Sequence, residues 1–304
     1  EEDITNAILE VGRTGRRVVG YVRGYGEHDP QSASGGGYRR AMDALEQEYY
    51  EIRDVELARG VPTDVSVLVM AGPTLPIPEA DLEELHRWLA SGGRLLAMLE
   101  PGEPDGLNEV LQRWGLRASG DIVFDPRNNI NESEQFLKVT DYTGHDAVAG
   151  FGQALPTAFP VAGRVVDFET GEGNLYHEPL LSSSTLSSLV GKDGTREAGP
   201  FALAAASWFR EAEADAETRV ILVGDSDWAS NAYIAAQANR NLFLNAVAWL
   251  ARESELITVR RNQLGGQVFD LNAAERTFIR LVLLSRPALV LVAGVVVAIR
   301  RRGR

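Results

Sequence analysis

Two glycine-containing turns carry most of the side chains in this sequence that could do chemistry. Gly24-Tyr25-Gly26-Glu27-His28 brings a carboxylate and an imidazole together. Gly224-Asp225-Ser226-Asp227, with Asn231 close behind, adds two carboxylates and an amide. Each turn follows a run that reads as a strand, Arg17 to Arg23 and Arg219 to Val223. In open α/β sheets, ligands bind beyond the carboxyl ends of the strands, near the point where strand order reverses. If both strands are central, the turns lie side by side. Gly24, Gly26, Glu27, His28, Asp225, Asp227 and Asn231 would then line a site able to take a cation or a polar ligand. The same residues also have an ordinary structural use. Glycines after strands permit tight turns and close packing, and Asp225 or Asp227 can cap a following helix. The structural use weighs more, and the sequence leaves both open.

Other chemistries are excluded or unsupported. The chain has no cysteine, so disulfides, zinc–thiolate sites and a cysteine nucleophile are ruled out. Gly24-Tyr25-Gly26 lacks the third glycine of a dinucleotide fingerprint. No GxxxxGK[ST] occurs, since Gly191-Lys192-Asp193 lacks both the first glycine and the hydroxyl, so the chain is not expected to hydrolyse ATP itself. No GxSxG elbow is present. His86, His145 and His177 are scattered, form no HExxH pair, and read as surface or loop histidines. Ser182 to Ser188 is a serine-rich loop with no evident base. No cofactor is expected.

The elements that must position the turns follow from periodicity. Ile4, Ala7, Ile8 and Val11 share a helical face. After the first strand come a helix over 38–50, a strand over 51–57 and a nearly all-apolar strand over 64–70, of the kind buried in parallel sheets. A helix over 78–89, a strand over 94–99 and a helix over 107–114 continue the alternation. A strand over 219–223 and a helix over 239–251 close it, with 202–207 as a further candidate strand. The pattern predicts an α/β fold with a mainly parallel sheet flanked by helices. It divides the chain into a first α/β part (1–120), an irregular or β-rich insertion (121–199), a second α/β part (200–254) and a stalk (255–280).

Leu281 to Ile299, LVLLSRPALVLVAGVVVAI, approaches the roughly 20 residues that span a bilayer. It holds one charge, Arg286, beside Pro287, and its unbroken apolar part also suits a buried core helix. Arg300, Arg301, Arg302 and Arg304 follow in the tail 300–304. A basic cluster directly after an apolar helix marks the cytoplasmic side. The expectation is a C-terminal transmembrane helix over 281–299, with everything before it extracytoplasmic at the inner membrane. The sequence starts at Glu1 and reads as processed or truncated. The net charge is −13. Ten arginines against four acidic residues from Arg252 onward give a local +6, so residues 1–251 carry −19. An acidic body of this kind speaks against nucleic-acid binding.

Several segments, in this order, resemble the GldG-type auxiliary proteins of gliding-motility ABC transporters. Gly24-Tyr25-Gly26-Glu27 resembles their GHGE turn, with Tyr25 in place of the usual His. Val67-Leu-Val-Met-Ala-Gly-Pro73 is similar to a strand and turn of that family, as is the strand entry Gly92-Gly93-Arg94-Leu95-Leu96. Val223-Gly224-Asp225-Ser226-Asp227-Trp228-Ala229-Ser230-Asn231 resembles the family's GDSD segment. Asn241 to Asn245 with Trp249-Leu250 resembles its last soluble helix, and the proline-containing apolar segment with its Arg tail also matches. The resemblance implies a periplasmic domain related to class I glutamine amidotransferases and to intraflagellar transport proteins. It also implies a polytopic permease and a separate ATPase as partners, and supplies no catalytic residues. A non-catalytic, membrane-anchored accessory subunit of an ABC transporter is therefore the leading expectation. The alternatives are a hydrolase using Glu27, Asp225 and Asp227 around a metal, and a structural envelope scaffold.

Overall fold

The computed structural model describes residues 17–253, apart from 103–105, 171–173, 191–195 and 211–216. The expected lead-in helix, stalk, membrane segment and basic tail lie outside the described residues. Among the described residues, no helix is long and apolar enough to cross a membrane.

The first strands and helices follow the apolar periodicity. β1 (Val18–Val22), α1 (Arg39–Gln47), β2 (Glu51–Val55), β3 (Val65–Ala71), α2 (Glu79–Ala90), β4 (Arg94–Met98) and α3 (Leu107–Gln112) form in that order. Far along the chain, β14 (Ala202–Arg210), β15 (Glu217–Val223) and α4 (Asn239–Leu250) return to the same sheet. β2, β1, β3, β4 and β15 lie side by side, all parallel. Side chains alternate across their pleat. Val19, Tyr21, Val67, Val69, Leu96, Ile221 and Val223 pack with α1 and α4 on one face. Val22, Leu68, Met70, Leu95, Val220 and Leu222 pack with Leu85, Leu89, Val110 and Leu111 of α2 and α3 on the other. Every residue of α4 except Arg240 is buried, as expected of a helix that is apolar nearly all round.

The rest of the fold departs from expectation. β14 joins β15 antiparallel, and β11 (Leu175–Ser182) and the two-residue β8 (Asp141–Tyr142) extend the sheet antiparallel to eight strands. A second sheet, β10 (Gly163–Asp167), β5 (Leu116–Phe124), β12 (Ser188–Val190) and β13 (Arg196–Ala198), is wholly antiparallel. So is a third, of β6 (Asn129–Ile130), β7 (Ser133–Val139) and β9 (Thr157–Phe159). The expected α/β fold with a mainly parallel sheet is thus corrected. Strand outweighs helix, the main sheet is mixed, and the other two are antiparallel. The physical reason is connection length. Only 211–216 separate β14 from β15, and a parallel crossover needs about a dozen residues or more.

The second sheet packs on the first through Leu116, Ala118 and Val165, and at one point main chain meets main chain. The N–H of Gly163 donates to the carbonyl of Gly224 at 2.6 Å. A Cβ at Gly224 would lie 2.2 Å from the Gly163 oxygen, so glycine is required there.

Candidate functional site

Strand order reverses between β1 and β3, because β2 lies outside β1 while β3 and β4 continue the other way. The loops leaving the carboxyl ends of β1, β3, β4 and β15 therefore gather at one rim.

After β1 the chain turns through Gly24 (φ 119°) and Gly26 (φ 78°). A Cβ at Gly26 would meet Thr74 Oγ1 at 2.2 Å, so the turn needs glycine there. Glu27 folds back, its Oε2 accepting the Tyr25 N–H at 2.9 Å. Burial raises its pKa, against the opposing pull of nearby backbone N–H groups. Tyr25 donates its hydroxyl to Asp81 at 2.7 Å, which anchors the turn to α2.

His28 is held from four sides. Its N–H donates to Ala71 O at the end of β3 at 3.0 Å, and its carbonyl accepts the Tyr21 hydroxyl at 2.7 Å. Its ring stacks on Tyr38, centroids 4.9 Å apart and 18° between planes. Nδ1 lies 2.6 Å from the carbonyl of Gly36. A carbonyl only accepts, so Nδ1 carries the hydrogen and Nε2 faces the rim.

Nε2 lies 2.8 Å from Ser226 Oγ and 3.7 Å from Asp227 Oδ1. Glu100, two residues beyond β4, accepts the Ser226 N–H at 2.7 Å and also contacts the Ser226 hydroxyl. Ligand atoms of His28, Glu100 and Asp227 all lie within 4.8 Å of one another. Gly72, after β3, leaves room for this convergence. A Cβ there would sit 2.4 Å from Ser226 Oγ and 3.2 Å from the His28 ring.

The remaining candidates do other work. Asp225 is fully buried behind the rim, and its carboxylate accepts the N–H groups of Val161 and Trp228. Burial, then the charges of Glu100 and Asp227, push its pKa well above the carboxylate range. Asn231 is a clamp. Its amide donates to Ser32 O and Ser34 O, both at 2.7 Å, and its oxygen accepts the Arg40 N–H at 2.8 Å. It ties the glycine-rich loop 31–37 to α1. Asn231→Ala is expected to cost about 1–2 kcal/mol in urea unfolding and to speed protease cleavage within 31–37. Unchanged cleavage would rule out the clamp.

The structure thus brings His28 and Asp227 together with Ser226 and Glu100. Glu27, Asp225 and Asn231 are engaged elsewhere, and a metal set of Glu27, Asp225 and Asp227 is not assembled. Sequence reading missed Glu100, although it is the polar residue that follows the third strand-end of the rim. The scattered histidines also gain surroundings. His177 pairs with Asp167 at 3.1 Å, His86 neighbours Trp114, and His145 lies against Trp208 and Trp249.

A family model described as "ABC-type uncharacterized transport system", an auxiliary component, matches residues 16–251, which include all four rim loops. The chain belongs to this ABC-transport auxiliary family. The auxiliary domain therefore has an accessory role in an ABC-type transport system. No curated protein matches the chain in sequence. Among solved structures, the auxiliary domain is similar to the "mmIFT52 N-terminal domain", with TM-score 0.60, 17% identity, 77% of this chain and 96% of that one covered. That likeness is one of fold. A ThuA-like protein from Bacteroides uniformis matches at TM-score 0.46 and 15% identity, over 78% of this chain and 93% of that one. Exo-beta-1,4-mannosidase Op5Man5 from Opitutaceae bacterium strain TAV5 matches at 0.40 and 14%, over 85% and 38%.

Proposed function

We propose that the protein is a non-catalytic accessory subunit of an ABC transporter. A membrane helix at 281–299 holds its folded domain outside the cytoplasm, against a permease that works with a separate ATPase. The strand-end rim binds a transport substrate or an envelope partner. The observation that carries the reading is the family match across residues 16–251. The apolar run 281–299 and the arginines after it support the anchor and its orientation. The non-catalytic part is supported by Ser226, which lies beside an imidazole but is itself fully buried, out of reach of a substrate carbonyl.

The test is affinity purification of the full-length protein from detergent-solubilised membranes, with partners identified by mass spectrometry. A multi-span permease recovered with a Walker-type ATPase is the expected result. Recovery of the protein alone, as monomer or homodimer, would overturn the reading in favour of an envelope scaffold.

A further inference from the structure

The rim holds three groups that donate electron pairs, and among the described residues no lysine or arginine is paired with its carboxylates, Glu100 and Asp227; the one pairing there is Asp227 with the His28 ring. The hydrogen count is also short. Nδ1 of His28 gives its hydrogen to Gly36 O, so in a neutral ring Nε2 carries a lone pair. Ser226 has a single hydroxyl hydrogen, and both His28 Nε2 and Glu100 Oε1 lie in position to accept it. When the hydroxyl donates to Glu100, the electron pair of His28 Nε2 is left unshared at the rim.

We propose that His28 Nε2, Glu100 and Asp227 together hold a divalent first-row transition-metal ion, of which zinc is the test case. Three features of the geometry fit. An imidazole with two carboxylates is a nitrogen–oxygen set that suits zinc better than calcium or magnesium. The bond from Nδ1–H to a backbone carbonyl is the outer support that metal-binding histidines ordinarily have, fixing the tautomer and aiming Nε2. Stacking on Tyr38, itself fully buried, holds the ring plane. The ligand atoms lie within 4.8 Å of one another. At tetrahedral angles, atoms bound to one ion at about 2.0–2.2 Å lie about 3.3–3.6 Å apart. Closure therefore asks for up to about an ångström, which rotation of the Asp227 side chain, 43% exposed, can supply.

This inference rests on side-chain geometry and holds whether or not a permease is recovered, so failure of one reading leaves the other standing. The full-length protein in detergent, stripped with chelator, is dialysed against Zn²⁺ and the bound metal counted. One ion per chain is expected. Asp227→Asn and His28→Gln are expected to weaken binding about 10–100-fold, while far-ultraviolet spectra and melting in chelator stay close to the parent's for Asp227→Asn. Co²⁺ should give visible absorption bands that both variants lose. His177, beside Asp167 and Glu169, is the control, and His177→Gln should leave binding unchanged. Absence of saturable binding, or binding undiminished in His28→Gln, overturns the proposal.

Discussion

Asn239→Leu is expected to lower the stability of the domain by about 3–5 kcal/mol, read as a fall in the urea midpoint at unchanged slope. Leucine nearly matches asparagine in shape, so little cavity forms and the loss is one of hydrogen bonds. Asn239 is fully buried at the start of α4. Its oxygen accepts the N–H of Ala158 in β9 at 2.8 Å. Its amide donates to the carbonyls of Ala158 and Trp228 at 2.8 Å and of Tyr233 at 3.1 Å. One side chain thus joins a helix, the third sheet and the loop after the rim. Each buried group left without a partner costs about 1–3 kcal/mol. Asn239→Asp should be no better, because it keeps the acceptor while turning negative charge toward three carbonyls. A Leu variant within about 1 kcal/mol of the parent would show that relaxation or water replaces these bonds.

The second large effect is on pH. Burial pushes the His145 imidazole down to about 4, with Asp146 opposing the shift and Arg219 adding to it. The ring lies between Trp208 and Trp249, and its Nδ1 accepts the N–H of Ala147 at 3.1 Å. A proton on Nδ1 destroys that acceptor. The folded value lies below the unfolded one, near 6.5, so between them the unfolded chain binds more protons. The contribution of His145 is therefore complete above about pH 6.5 and is lost as pH falls toward about 4. Allowing for partial exposure, the loss is about 2 kcal/mol. His145→Asn keeps a side-chain acceptor for the Ala147 N–H but cannot titrate here. Unfolding free energies measured across pH 4 to 7 should therefore fall more steeply for the parent than for this variant. Parallel curves would mean that His145 is solvated.

The parts legible in the sequence were those whose apolar period is complete within one segment. β3 and α2 are examples, since each shows its own buried face. The pairing partners were not legible. Ala-rich β14 reads as a strand, but nothing in its composition says that it runs against β15 while β4, on the other side, runs along with it. The segment 121–199 reads as irregular or β-rich because β6, β8, β9, β12 and β13 have only two or three residues each, too brief to show alternation, although β7 and β11 are longer. At the rim, His28 and Asp227 could be singled out because glycine-rich turns flag them. Glu100 carried no such flag. Its place depends on β4 lying next to β15, a contact between residues more than a hundred positions apart. Glu27 and Asp225 look like ligands by type, yet backbone N–H groups take one oxygen of Glu27 and both of Asp225, and sequence alone does not show which donors lie within reach.

The contact between Gly163 and Gly224 has a mechanical side. Two stretches of main chain touch there with no side chain between them that could turn to a new rotamer and absorb a displacement. A load applied to the outer face of the β10–β5 layer therefore passes through a stiff seam into the chain just before Asp225, Ser226 and Asp227.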